Sequence, residues 1–184
     1  MLIQAAWLSG RTEPLKIFLP AELSEPLKQW LNASYLGPAI VPFEIVFVPW
    51  ESQACFEFRG LKIHPAPTTH LATLNRRSIP NRFKAYSLRI EHPDFRIVFS
   101  GDLGSPNDLQ GQLSEHVDLL ITEVAHFPPT ELFQFLSTKS IEKVVLTHLP
   151  REWTGKEDIL LKGARESLPA KAVTIASDQM RLEI

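Results

Sequence analysis

The sequence contains a single cysteine, Cys55, among its 184 residues. One thiol can form neither an intramolecular disulfide nor a zinc site built from several cysteines, so a metal site in this chain would use histidine and carboxylate ligands. Because Cys55 lies between Ala54 and Phe56, we expect a small, buried, apolar side chain.

A strong charge of one sign and a long apolar run are also missing. The net charge of −2 and a pI near 6.3 give no overall attraction to nucleic acid. One local basic cluster remains, and it is either a solvated loop or a binding patch: Arg76, Arg77, Arg82 and Lys84. No apolar run has the length of a membrane span, and the first residues do not resemble a secretory signal, so we expect a cytoplasmic protein without a membrane partner.

Repeats, low-complexity tracts and linkers are absent as well, which predicts a single domain over residues 1–184. In the first part of the chain, the apolar spacing predicts a helix, a strand and a second helix. Three strand-like runs follow, and the short turns between them favour an antiparallel meander. The predicted segments are 2–9, 14–20 and 21–36, followed by 43–50, 54–58 and 61–67.

The second part of the chain predicts an α/β arrangement. A hairpin is expected to turn at His92, Pro93 and Asp94. After it, near-continuous apolar runs alternate with helical segments, the pattern of buried parallel strands covered by helices. The expected strands are 117–124, 142–149, 172–177 and a final short one at 180–184, and the expected helices are 129–137 and 156–167.

Four of these strand-like runs end in a side chain that can bind a metal. They end at His70 ("HPAPTTH"), Asp102 ("VFSGD"), Glu123 ("DLLITE") and His148 ("VVLTH"). Ligands of α/β sheets bind at the carboxyl ends of strands, so we expect these side chains to converge. Two histidines and two carboxylates without a thiolate suit Zn²⁺, Mn²⁺ or Fe.

Each of these residues taken alone has a simpler interpretation. A histidine after a strand is commonly a turn or hydrogen-bonding residue, and we interpret His64, His92 and His116 in this way. An aspartate after a strand commonly caps the next helix. Here Asn107 and Asp108 are available as caps, which leaves Asp102 free for another role.

In combination, the motifs resemble a known family. The segments "SGDLG", "TEVAH" and "VLTHLP", with "LIQAAWLSGRTEPL" at the beginning, resemble the metallo-β-lactamase superfamily and, within it, the ribonuclease Z-like hydrolases. The similarity extends over nearly the whole chain, with the elements in the same order. It implies an αβ/βα sandwich that is incomplete at the N-terminus.

The resemblance also implies roles for five residues. His70 would bind the first metal ion, Asp102 would bridge two ions, and His148 would bind the second, the ions being zinc or, alternatively, manganese or iron. Glu123 matches an acidic residue that orients a proton-donating histidine. His126 is the candidate for that histidine in this chain.

One family motif is missing from the sequence. HxHxDH occurs nowhere, since no two of the six histidines are separated by a single residue. Four of the seven expected ligands are therefore not supplied by this chain. We expect the chain to be the C-terminal portion of the fold, truncated at an internal methionine. Its uncovered sheet face would then favour a homodimer or another association.

Three hypotheses about function follow from these observations. The first is a metal-dependent hydrolase of small phosphodiesters or RNA. The second is a non-catalytic remnant of the same fold that binds a partner or nucleic acid through the basic cluster. The third is an unrelated doubly wound domain in which Asp102 binds Mg²⁺ or accepts a phosphoryl group, but the sequence offers no early acidic pair to assist it.

Overall fold

A computed structural model describes residues 2–50, 55–77 and 84–182, without the side chains of residues 75–77. Arg82 and the side chains of Arg76 and Arg77 lie outside this description, so the basic cluster stays a prediction. The chain divides into two compact units, Met1–Ala54 and Cys55–Ile184, and the single domain also stays a prediction. Among the described helices, none is both long and apolar enough to cross a membrane.

The first unit contains two helices and two strands. Strands β1 (Leu15–Pro20) and β2 (Ile45–Trp50) pair in parallel, and the helices are α1 (Leu2–Leu8) and α2 (Ser24–Ala33). Leu31 of α2 is fully buried in the core of this unit. The prediction that β2 joins an antiparallel meander was wrong, because an apolar strand pattern does not specify the pairing partner.

The second unit is built on a seven-stranded sheet in the order β3-β4-β5-β6-β7-β8-β9. The first four strands pair antiparallel, and β6 to β9 pair in parallel. The strands are β3 (Phe56–Phe58), β4 (Leu61–Thr68), β5 (Ala85–His92), β6 (Phe95–Phe99), β7 (Val117–Glu123), β8 (Ile141–Thr147) and β9 (Ala172–Ile175), and the helices are α3 (Ala72–Arg77), α4 (Pro129–Ser137) and α5 (Glu157–Ser167).

The parallel strands are held in register by a buried apolar row. Val98, Leu120, Val144 and Val173 are aligned across β6 to β9, and each is at most 5% exposed. Side chains of α4 and α5 belong to the same core, including Leu132, Leu136 and Leu160. This core aligns the carboxyl ends of β6, β7 and β8 along one edge of the sheet.

The α/β class predicted from the sequence is confirmed, with differences in two places. Residues 180–182 do not form the expected last strand. Cys55 is exposed rather than buried, and its Sγ lies 3.7 Å from His64 Nε2. The flanking apolar residues misled the prediction because Cys55 lies just before the start of β3, outside the paired strand.

An ion-pair network connects three neighbouring antiparallel strands. Glu91 on β5 contacts Arg89 Nε at 3.1 Å and Arg96 Nε at 3.0 Å, and its other oxygen lies 3.0 Å from His64 Nε2. Burial raises the pKa of the Glu91 carboxyl, but the charges of Arg89, His64 and Arg96 outweigh that effect and leave the pKa below its usual value.

We predict that Glu91→Gln lowers the free energy of unfolding by about 1–2 kcal/mol at pH 7, because charge-assisted hydrogen bonds are lost. A carboxyl with a lowered pKa in the folded state stabilises the protein above its unfolded-state pKa, and this contribution disappears as the pH falls through the folded-state pKa. Urea unfolding should therefore show the two proteins becoming alike once the pH lies well below the folded-state pKa of Glu91. A gap that persists unchanged at that pH would contradict the account.

Candidate metal centre

Asp102 occupies a tight turn just past the end of β6. The amide of Ser100 still donates to the carbonyl of Ile121 at 2.9 Å, so hydrogen bonding to β7 extends one residue past the end of β6. Gly101 then adopts a φ of 57°, and a Cβ on it would collide with the carbonyl oxygen of Tyr86. Only glycine fits this position, and the turn leaves the Asp102 side chain beyond the sheet edge.

The two carboxylate oxygens of Asp102 face two different histidines. Oδ1 lies 3.2 Å from Nδ1 of His148, and Oδ2 lies 3.8 Å from Nε2 of His70. The Asp102 side chain is 47% exposed. A carboxylate whose two oxygens each face a different histidine is arranged as a ligand shared between them.

The two histidines follow strands that lie on opposite sides of β6 in the sheet. His70 follows the end of β4 and its side chain is mostly buried, whereas His148 follows the end of β8 and is half exposed. His148 has a φ of 49°, a left-handed conformation that costs a residue other than glycine about 1 kcal/mol. Such strain persists where the surrounding structure requires the side chain in one place.

Glu123, the last residue of β7, is the most buried charged group of the site, at 1% exposed. Its Oε1 accepts the amide of Leu103 at 2.5 Å, and its Oε2 accepts the amide of Ala125 at 3.0 Å. Its own amide donates to Ser100 Oγ at 3.1 Å. The two amides that donate to the carboxylate offset the cost of burying it.

His126 completes the surroundings of Glu123. Its Nδ1 lies 2.8 Å from Oε1 and 2.7 Å from Oε2 of that carboxylate. Because these oxygens act as acceptors, Nδ1 carries the proton and donates it, which leaves Nε2 as the free nitrogen. The His126 ring lies 4.3 Å from the His70 ring and 5.3 Å from the His148 ring, centroid to centroid.

The nitrogen and oxygen atoms of His70, Asp102 and His148 fit a divalent metal ion. Two ligands of one tetrahedral ion, each bound at about 2.1 Å, lie roughly 3.4 Å apart. The 3.2 and 3.8 Å separations between Asp102 and its two histidines are close to that value. Glu123 fits less well as a ligand, since both of its oxygens already accept hydrogen bonds.

All five residues named from the sequence therefore lie in one cluster: His70, Asp102, Glu123, His126 and His148. The other three histidines have separate partners, as their simpler interpretation predicted. His64 contacts Glu91, His92 contacts Asp94, and His116 contacts Ser140. Sequence reasoning did not identify Ser100, although it is a buried polar residue between a strand and the "GD" turn.

A second group of possible ligands lies at the other end of the parallel strands: His116, Asp118 and Glu142. Two of these side chains are exposed, and all three already have partners. Asp118 accepts the amide of Arg96 at 2.6 Å, and Glu142 pairs with Lys143 at 3.8 Å. The nearby cations make this group a weaker candidate for a metal ion.

Residues 3–149 match the family model described as "Beta-lactamase superfamily domain". The chain belongs to the beta-lactamase superfamily. The resemblance drawn from the motifs is thereby confirmed. The similarity to ribonuclease Z that the motifs predicted also agrees with two curated relatives. Both are named Ribonuclease Z, and both come from strains of Pseudomonas putida.

The two ribonuclease Z relatives differ in how much of the chain they match. One is 24% identical over 199 aligned positions and covers 80% of this chain. The other is 33% identical over 69 positions and covers 38% of this chain. The matched part of this superfamily member spans about three fifths (61%) of the first relative and 21% of the second.

Solved structures support the fold of this superfamily member. The metallo-β-lactamase fold protein YhfI from Bacillus subtilis has a TM-score of 0.69 at 21% identity and covers 95% of this chain and 67% of its own. Zn²⁺-bound PqqB from Methylobacterium extorquens has a TM-score of 0.59 at 14% identity, with coverages of 93% and 63%. A diphosphatase from the PhnP family has a TM-score of 0.58 at 18% identity, with coverages of 93% and 59%.

We predict that Glu123→Gln lowers the free energy of unfolding by about 2–3 kcal/mol, because the new amide group cannot accept from every donor that now faces the carboxylate. Glu166→Gln is the matched control. Glu166 is 68% exposed and pairs with Lys162 at 3.9 Å, so its loss should change stability by less than about 0.5 kcal/mol. The free energy of unfolding is measured by chemical denaturation. Equal losses of this free energy in the two variants would refute the special role of Glu123.

Proposed function

We propose that this chain provides His70, Asp102 and His148 as metal ligands of a hydrolase with phosphodiesterase-like, ribonuclease Z-like activity. The observation that carries the proposal is the Asp102 carboxylate, whose two oxygens face His148 and His70 at 3.2 and 3.8 Å. Membership of the superfamily and the curated relatives named Ribonuclease Z support it.

The donor set favours zinc, with manganese or iron as alternatives, because it combines imidazole nitrogens and carboxylate oxygens without a thiolate. Asp102 would hold the metal as the ligand shared with both histidines, since it faces His148 through one oxygen and His70 through the other. A divalent ion in this site would polarise the scissile group and supply activated water near neutral pH.

The neighbouring pair Glu123 and His126 suits proton transfer. Glu123 holds the Nδ1 proton of His126 through contacts of 2.7 and 2.8 Å, which fixes both the tautomer and the ring direction. His126 can then gain or give a proton at Nε2, so it is the candidate general acid for the leaving group. Glu123 is a positioning residue in this scheme.

The substrate class is inferred from the relatives. One type of relative is named Ribonuclease Z, and a structural neighbour is named a diphosphatase. We therefore propose a small phosphodiester or an RNA as the substrate of the whole protein. Cytoplasmic location and association into a homodimer stay predictions.

The first test is metal binding by the purified chain after treatment with a chelator. Calorimetric titration with Zn²⁺ should show that Asp102→Asn weakens binding by more than about 100-fold, because the shared ligand loses its charge and one oxygen. Asp94→Asn, an 84% exposed aspartate on the β5–β6 turn, should bind like the unaltered chain. Failure of the unaltered chain to bind Zn²⁺ would overturn the proposal and favour the non-catalytic alternative.

The second test separates proton transfer from metal binding. With a short RNA phosphodiester, whose poorly leaving alkoxide needs a proton, and the metal-loaded protein, we expect His126→Gln to lower kcat by about 10²–10⁴-fold while the Zn²⁺ affinity stays within a few fold. His116→Gln serves as the control, since His116 contacts Ser140 at the opposite end of β7. A parallel loss of metal by His126→Gln would instead identify His126 as a ligand.

A further inference from the structure

The sheet does not by itself bring His70 and Asp102 together. His70 follows β4 and Asp102 follows β6, but these strands are separated by β5. Next-but-one strands lie roughly 10 Å apart, and both residues lie beyond the last paired residues of the ladders, Thr68 on β4 and Phe99 on β6. A connection outside the ladders has to join the two loops.

Asp108 supplies that connection through one carboxylate. Its Oδ2 accepts the amide of Thr69 at 2.9 Å, the amide of Gly104 at 2.9 Å and the amide of Ser105 at 3.3 Å. The hydroxyl of Thr69 lies 3.1 Å from each of its oxygens. Two of these four donors belong to the residue next to His70, and the other two lie close behind Asp102.

A hydrogen bond from a side chain of one loop to the backbone of the other strengthens the connection. The Thr68 hydroxyl donates to the carbonyl oxygen of Asp102 at 2.7 Å. A Cβ on Gly104 would collide with the side chain and backbone of Thr69. The two loops therefore touch where only a glycine allows them to approach so closely.

Asp108 itself is held firmly. It is the third residue of the short 3-10 helix Pro106–Leu109, where it forms a capping box with Ser105. Leu103 and Leu109, on either side of this segment, are fully buried in the core. A carboxylate anchored in this way can determine where a second loop lies.

We infer that Asp108 is a positioning residue of the site: its carboxylate fixes the loop that carries His70 to the loop that carries Asp102. This inference rests on the proposed metal site and extends it to a residue that touches neither histidine. Residues that orient metal ligands from outside the ligand set typically contribute 10- to 100-fold to metal affinity.

The test compares Asp108→Asn with a matched carboxylate elsewhere. Glu157 accepts the amide of Gly155 at 3.0 Å at the start of α5, so Glu157→Gln removes similar capping chemistry. In a spectroscopic titration with Co²⁺, Asp108→Asn should weaken binding by 10- to 100-fold, whereas Glu157→Gln should stay within twofold. Gly104→Ala, which retains the carboxylate but separates the loops, should resemble Asp108→Asn.

A metal-free measurement distinguishes failure of the inference from failure of the proposed function. Amide hydrogen exchange should show that Thr69 and Gly104 lose protection in Asp108→Asn and keep it in Glu157→Gln. If the unaltered chain binds no Co²⁺, the proposed function fails and the exchange result alone decides the role of Asp108. Unchanged protection at both amides, or Co²⁺ affinity equal to that of Glu157→Gln, would overturn the inference.

Discussion

The site depends on a buried carboxylate that has to be satisfied. Glu123 is nearly inaccessible to solvent, and an ionised group in that position is tolerated only when hydrogen-bond donors surround it. The donors come from the loop after β6, through Leu103, and from the loop after β7, through Ala125 and His126. Satisfying Glu123 therefore brings Asp102, the neighbour of Leu103, and His126 to the same side of the sheet edge.

Asp102 and His148 are placed by backbone conformations that residues other than glycine avoid. Gly101 and His148 both have positive φ values, and each follows closely on a strand that pairs in parallel with β7. The strands fix where the turns begin, and the turns fix where the side chains go. A rigid sheet edge with tight, partly strained turns is a common way to hold ligands at fixed distances.

The sequence allowed much of the second unit to be predicted, because its strands are long apolar runs and its helices have clear spacing. Helix α4 was predicted with the bounds it has in the structure. Partners in space were harder to predict. The partner of β2 and the exposure of Cys55 were both wrong, because each depends on which face and which strand the chain meets.

The same limit applies to the candidate site. Four of the five residues were found because they end strand-like runs and match family motifs, and His126 was named as a substitute for the family's proton-donating histidine close to Glu123; these are local features. Asp108 was recognised only as a possible cap of the next helix. Its contacts with Thr69, 39 residues away in the sequence, arise from the crossing of two loops and have no local signature.

The most direct test of the account is the position of a bound ion. A crystal soaked in zinc and measured at the zinc absorption edge should show an anomalous peak within about 2.2 Å of an Asp102 carboxylate oxygen and of a nitrogen of His70 or His148. A peak at His116, Asp118 and Glu142 instead, with none beside Asp102, would contradict the central claim.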